Sequence, residues 1–530
     1  MTLMSLWQEQ GENFYAERAD FTLRRTLGTD FASGMMTSYP LLCRRELGDQ
    51  IGQMLRPTAK EWAQIDIRDP HTADNESKRM LQWASTVQRR AMYDPVTLFT
   101  QATKTGDHDF ATFGQCVISI RLNRAGDALL YRCFHLRDVA WALNEEGKIG
   151  MIWRKWKPTN RDLKRLFGDK VHTEVNQALT QNRPLDEVEC MHMIVEADMY
   201  DDKAKGRPYW SITYDCAHQH MMEAVPVWNR EYAIPRWETP GESPYAFSPA
   251  TICALPDARL IQAMTYTLLE AGEKVVNPPM IVQHGVLRSD MALYAGGYTA
   301  IDQDYDERAG EAVRPLAIDA KGMPLGVEMQ KDSRASIAAA FYLNKLTMPQ
   351  RGPEMTAYEV GQRIQEYIRG ALPIFEPMEM NYNGEICMLT WDILLRNGAF
   401  GDPRTFPASV RKAMAGGAMQ FRFESPLHDA IEAQKGQKFM EVHGMIAQAV
   451  ALDKTAVAIV DWEGALRDAL DGIGTPAKWI NSEATVKGMK DQEAAAQQTA
   501  AMLEQMQAGA DVAGTLATAQ ATQASVGAPV

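Results

Sequence analysis

The sequence predicts an α+β protein of several domains, and three observations carry that expectation. Hydrophobic spacing changes repeatedly along the chain, from helical stretches at the amino end to a β-rich stretch between residues 115 and 234, and back to helices. At 530 residues, with 45% apolar and 23% charged side chains, the chain has the length and composition to bury large soluble cores. From Gly241 to about Asn397, two long helical patterns flank a glycine- and proline-rich insert, and a loop and a third helical run follow.

Taken in order, residues 5–30 alternate polar and apolar positions at helical spacing until Gly28, Thr29 and Asp30 break the pattern. A second helix is expected from Tyr39 to Met54, with Leu41, Leu42, Leu47, Ile51 and Leu55 as its stripe and Pro57 as its stop. KEWAQIDIRDP reads as a short strand, and 73–105 as one or two helices. The period should switch between Asp109 and Gly114 into two hairpins, with turns at Asn123–Gly126 and Asn144–Gly147. Thr159 precedes a helix closed by Gly168, and a further β-rich block spans 189–234.

Pro256 and Asp257 are expected to open a long amphipathic helix that Asn277-Pro278-Pro279 stops, a rod of roughly 28 Å at ~1.5 Å per residue. Seven glycines and prolines between 285 and 324 argue against a long helix there, leaving short strands such as PPMIVQH. A helix follows at 332–347. Thr356 with Glu359 forms a capping box for the next, which Pro373 and Pro377 should bend or interrupt before Met388–Leu395 resumes it. AMQFRFESP is extended, and helices are expected at 427–454 and 461–470. The Ala-, Gln- and Thr-rich end has little to bury and reads as a surface helix fading into disorder.

Several function classes are disfavoured. A net charge of −13 argues against a generally basic binder that neutralises phosphates, though not against a conduit along which DNA slides. No apolar run approaches the length of a membrane span, and the amino terminus lacks the pattern of a secretory signal. Seven scattered cysteines fit a reducing compartment. Phosphate-binding, dinucleotide-binding and nucleophile-elbow motifs are missing, so no catalytic residue and no cofactor are assigned.

Three clusters invite chemistry. Cys216, His218 and His220, with Cys190 and His192 nearby, could present metal ligands on one strand face, but they lack the spacing of a structural zinc site and read better as sheet residues. Asp302, Asp304 and Asp306 match positions one, three and five of a calcium loop. Glu307 and Val313 then break the match, leaving a solvated acidic loop. Trp153, Arg154, Lys155, Trp156 and Lys157 could stack bases and hold phosphates, against the plainer reading of a strand edge.

GESPYAFSPATICALPDARLIQAMTYTLLEAGEKVVNPPM and MTAYEVGQRIQEYIRGALPIFEPMEMNYNGEICMLTWDILLRNGAF resemble the portal, or head-to-tail connector, proteins of short-tailed, T7-like phages. Thr356, Ala357 and Glu359 match a characteristic phrase of that family, and the similarity is best over 241–397. The resemblance implies a ring, twelve-fold in the family, with a wing over 1–248, a first stem helix at 249–276 and a clip at 277–328. A second stem helix at 329–346, a tunnel loop at 347–355, a kinked helix with wing return at 356–426, a crown at 427–495 and a tail at 496–530 complete it.

Double-stranded DNA would pass without sequence readout, contacted by Arg351, Lys345 and Gln350, past a stem bore of Gln262, Thr265, Glu270, Glu273 and Lys274. In a ring the clip aspartates would repeat as an acidic collar. Implied partners are further copies of the chain, the large terminase subunit that hydrolyses ATP, a tail adaptor, the major capsid and scaffold proteins, and internal core proteins. The implied place is the capsid's portal vertex, after assembly in the host cytoplasm. Two rivals predict different things: a tail-adaptor or scaffold ring without a DNA bore, and a metal-dependent hydrolase using Cys216–His220.

Overall fold

A computed structural model describes most of residues 2–346, residue 370 and residues 373–423. Gaps fall at 24, 27–33, 59, 69–73, 201–205, 284, 293–295, 307, 309, 317–322 and 418; beyond 423 it describes 439–440, 442–446, 461–472 and scattered positions to 499. The tunnel-loop residues Gln350 and Arg351, the capping box at Thr356 and residues 500–530 lie outside these. The chain forms two compact units, one of Met1–Ile65, Ala84–Thr405 and Phe421–Ala430, the other of Asp66–Trp83, Phe406–Gln420 and Ile431–Val530.

Helices α1 (Leu3–Phe14), α2 (Tyr39–Leu55), α3 (Asn75–Met92) and α4 (Phe99–Phe113) frame the amino-terminal part, with strand β1 (Ala63–Ile67) between α2 and α3. The first helix ends at Phe14, well short of the periodic stretch that suggested it. Conversely α4 runs on to Phe113, where a change of period was expected. Every residue from Gly106 to Phe113 is buried, Asp107, His108 and Asp109 among them, so polarity does not mark an exposed face there.

The hairpins form as expected. Strands β2 (Val117–Leu122) and β3 (Leu129–Phe134) pair, and β4 (Val139–Leu143) pairs with β5 (Ile149–Trp156). After helices α5 (Asn160–Phe167) and α6 (Thr173–Thr180) come β6 (Cys190–Glu196), β7 (Tyr209–Asp215), β8 (His220–Val227) and β9 (Tyr232–Ala233). Two antiparallel sheets result, in the orders β4-β5-β6-β7-β8 and β3-β2-β9. Their shared core joins Trp7, Phe21 and Phe113 to Val117, Trp141, Ile152, Ile194 and Tyr232. Trp7 meets Phe21 and Tyr245 with ring centroids 5.5 and 5.9 Å apart, within the range of favourable aromatic pairs.

Helix α7 (Pro249–Val276) has 28 residues, about 42 Å of rod. Pro256, expected at its start, lies inside it. A proline there withholds the N–H that the Ile252 carbonyl would accept. Buried Ala250, Thr251, Ala254, Ala258 and Ile261 lie on both sides of it and hold the helix through the interruption. Strands β10 (Met280–Val282) and β11 (Val313–Pro315) bracket the insert that follows. Helix α8 (Met323–Ala340) begins nine residues before the expected start, because Pro324 falls in its first turn, where a proline costs little. Tyr342, at φ 58°, ends it before the short α9 (Leu343–Leu346).

Residues 373–378 are helical through Pro377, and a wider π-type stretch at Glu379–Gly384 leads directly into α10 (Glu385–Arg396). The expected interruption is therefore a widened turn, which absorbs a missing hydrogen bond without ending the helix. After α11 (Ala408–Ala415), β12 (Met419–Phe423) makes a small sheet with β1, where Trp62 and Phe423 stack at 6.4 Å. In the second unit Asp74 accepts from the Ser77 N–H at 3.1 Å and from the Ser409 hydroxyl at 3.2 Å. Helix α12 (Trp462–Gly472) also belongs to it.

Candidate functional site

The helix pair α7–α8 is the site the resemblance points to. Its base is tied down by hydrogen bonds from the first turn of α7. Ser248 accepts from the Thr251 N–H and donates to the Ala111 carbonyl at 2.7 Å, while the Thr251 hydroxyl donates to the Thr112 carbonyl at 2.8 Å. Gly114 makes the junction possible. At φ 74° its Cα faces the Phe247 backbone so closely that a Cβ would sit 2.1 Å from the Phe247 carbonyl carbon.

Along the pair, one face of α7 meets α8. Gln330 donates to the Thr265 hydroxyl at 2.7 Å, and Gly326 lets α8 approach Leu268, whose Cδ2 would lie 2.9 Å from an added Cβ. Gly272 stands opposite the Met323 methyl. At ~100° per residue, Ile261, Thr265, Leu268 and Gly272 share this face. Thr267, Glu270 and Lys274 lie on the opposite one, exposed, with Lys274 donating to Glu270 at 2.7 Å. That bond raises the Lys274 ammonium above its usual range.

Between the two faces run apolar flanks. Tyr266, Leu269 and Val276 form one, with Leu269 60% and Val276 86% exposed; Leu260 and Val275 stand exposed on the other. Helix α8 adds Leu325, Val327 and Met329, also exposed. The insert repeats the pattern: Met280, Ile281 and Leu316 are exposed on and beside the small β10–β11 sheet.

The bore residues read from the sequence separate into two groups. Glu270, Glu273 and Lys274 are exposed. Gln262 and Thr265 are engaged within the protomer. Gln262 accepts from the Met36 and Thr37 N–H groups at 2.7 and 2.9 Å and donates back to the Thr37 carbonyl, clasping the 36–37 segment. Thr265 bonds Gln330 and the Ile261 carbonyl. Lys345 is exposed, its ammonium 5.9 Å from the Tyr342 ring.

The clip aspartates do not act together. Asp302 accepts from Arg288 at 2.8 Å, which holds its carboxyl below the usual range; Asp306 accepts from the Arg308 N–H; Asp304 is exposed. Trp153 to Trp156 lie on β5, an interior strand rather than an edge, with Lys157 exposed just beyond its end. Arg154 stacks on Phe134 at 3.7 Å, Trp156 packs against a small core and Lys155 faces Glu189, so the strip is bound into the sheet and offers no stacking platform.

The five-residue Cys/His cluster is dispersed as well. His192 is buried against Tyr232 and Ser211, Cys190 is buried, and His220 donates to the Lys170 carbonyl. His218 alone remains with possible ligands, and they are His172 and Glu174. The sequence offered one signal for them, a His-x-Glu at a helix start some 45 residues upstream.

The description "bacteriophage head to tail connecting protein" belongs to a family model that matches residues 4–480, and the chain belongs to that family. It is 22% identical over 498 residues to the portal protein of Salmonella phage epsilon15, covering 91% of this chain and 86% of that protein. A chain from the virion of a native gene transfer agent particle superposes at a TM-score of 0.36 and 9% identity, over 82% of this chain and 94% of that one. Among the described residues no helix is long and apolar enough to cross a membrane.

Proposed function

We propose that the chain is the portal of a phage head, a ring of identical subunits at one capsid vertex whose α7–α8 pairs wall a channel for double-stranded DNA. The observation that carries this reading is the distribution on α7: a polar face opposite α8 and an exposed apolar flank on each side. Such a helix is incomplete alone and complete between two copies, which is what a heterologous, closing interface requires. Burying flanks of this kind is worth roughly 25 cal/mol per Å² of apolar surface removed from water.

The finer assignments rest on the family resemblance. They are a twelve-subunit ring, a clip at 277–328 that docks the terminase ATPase and then the tail adaptor, capsid, scaffold and internal core proteins around it, and a place in the virion after assembly in the host cytoplasm. Glu270 and Lys274, exposed on the face opposite α8, are the bore residues best supported, and their mixed charge suits a wall along which DNA slides; Glu273, also proposed there, is exposed on the flank of Tyr266 and Leu269. Lys345, Gln350 and Arg351 remain the proposed DNA contacts. Electron microscopy of the purified protein, viewed down the symmetry axis, tests the core of the reading. Rings with an open passage are expected; monomers or compact dimers at high concentration and with scaffold protein present would reject it.

A further inference from the structure

His172, Glu174 and His218 lie where the helical insert α5–α6 meets the β7–β8 turn. Among the described residues they are the single place where three histidine, cysteine or carboxylate groups bring ligand atoms together, all within 4.8 Å of one another. Three backbone features aim them. His172 is the residue before α6 and Glu174 sits in its first turn. His218 belongs to a turn shaped by Asp215, whose Oδ1 accepts from the Ala217 and His218 N–H groups at 3.0 and 3.1 Å.

Asp215 also decides which nitrogen of His218 is available. Its side chain is fully buried, and its Oδ2 accepts from His218 Nδ1 at 2.7 Å. With Nδ1 engaged by Asp215, the other ring nitrogen, Nε2, faces Glu174 Oε2, 3.1 Å away. A proton on Nε2, or a metal cation in its place, bridges the two atoms. A buried carboxylate on one ring nitrogen, with the other turned toward a second ligand, is the arrangement that orients histidines on metals.

The spacing suits one ion. Ligands about 2.05 Å from a tetrahedral zinc stand roughly 3.3 Å apart, close to the distance between His218 and Glu174. The His172 ring stacks on His218 at 4.8 Å, with the planes 12° apart, and its Nδ1 accepts a long bond of 3.3 Å from the Glu174 N–H. Coordination through His172 Nε2 turns the ring out of this stack, places the proton on Nδ1 and exchanges that weak cap for a metal bond. Glu174, 64% exposed, has the freedom to complete the closure.

We infer that His172, Glu174 and His218 bind one divalent transition cation of the zinc class, with Asp215 as the positioning residue. A site with three protein ligands leaves a fourth position to water. Its effect is mechanical: it fastens the α5–α6 insert to the sheet at the rim of the small core of Leu163, Val171, Val175 and Met222.

The test uses untagged, full-length protein stripped with a chelator and then titrated with Zn²⁺ or Co²⁺. One ion retained per chain is expected, with the visible absorption of tetrahedral Co²⁺ and a higher melting temperature on Zn²⁺ addition. His218→Ala should weaken binding by 100-fold or more, and Asp215→Asn by 10–100-fold. Glu174→Gln keeps the readout clear of folding defects because its side chain is exposed, and should weaken binding at least tenfold. Cys253→Ser, an exposed thiol elsewhere, should bind like the parent. No ion retained through gel filtration, or equal retention by Glu174→Gln and His218→Ala, would show an adventitious ion only and overturn the assignment.

Discussion

The paired sheets and the α7–α8 helix pair solve the same problem in opposite ways. The sheets bury their apolar faces within the chain: Ile118, Ile120, Tyr131, Ile152 and Ile194 are all sealed, and the aromatic cluster around Trp7 closes the core. The helix pair seals only one stripe, through Ile261 and Ile337, and leaves Tyr266, Leu269, Val276, Leu325 and Met329 to water. Exposed apolar surface on this scale marks a place of association. The first region is a folding unit; the second, on the function proposed above, is half of an interface. A protomer stable through its sheets can present unsatisfied helices to its neighbours and still remain folded before assembly.

The largest effect follows from breaking one flank. Leu269→Asp should abolish ring formation while leaving the protomer's melting temperature within a degree or two, since the side chain is already exposed. Leu260→Asp should do the same from the other flank. The two faces are different, so an equal mixture of the variants should stop at heterodimers joined through the intact flank of each, as sedimentation would record. Rings from either variant would mean that the flanks are ordinary surface and that the contrast with the sheets fails.

The converse change tests the other half. Ile118, with no exposed surface, pairs with Cys133 and Ala233 in the ladder. Ile118→Ala should cost about 2–5 kcal/mol in protomer unfolding. Rings should still form from whatever folds. Loss of assembly at unchanged stability would show that the sheets are part of the interface.

A smaller effect concerns pH. Burial first, and then the neighbouring Arg44 guanidinium and Lys104, push His108 down to about 4, against the opposing pull of Asp49 and Asp109. An unfolded histidine titrates near 6.5, so the unfolded chain binds the extra proton between about 6.5 and 4 and stability falls as pH falls through that window. The loss should reach about 2 kcal/mol, discounted for the solvent that still reaches the ring. Denaturant midpoints between pH 7 and 4 measure it, and His108→Gln should flatten that part of the curve; an unchanged slope would assign it to other groups.

How much of this was legible in the sequence depended on whether burial was one-sided. The hairpins turning at Asn123 and Asn144, the helix from Tyr39 and the strand at Ala63–Ile67 have period and punctuation, and they stand where those signals put them. Helix α4 escaped because its last turns are buried all round, and α8 started early because Pro324 read as a breaker while serving a first turn. At the site, polarity alone could not separate Gln262, which clasps Thr37, from Glu270, which faces water. His172 and Glu174 join His218 through a tertiary approach that spacing along the chain does not encode.

The smallest predicted change sharpens the comparison most, because it asks what the polar face of α7 is for. Glu270 and Lys274 form an exposed i,i+4 pair, which water and salt screen so that it contributes little to stability. Glu270→Gln should therefore leave protomer melting within a degree and ring assembly intact, by the same thermal and sedimentation measurements. If the face opposite α8 is a channel wall, its only neighbours are solvent and passing DNA, and neutralising one charge has nothing further to disturb in the empty ring. Were assembly to fail with Glu270→Gln while the protomer stayed folded, that face would be in contact with another subunit. The wall of the channel would then have to be sought on one of the apolar flanks, a poor lining for a passage filled with water and phosphate.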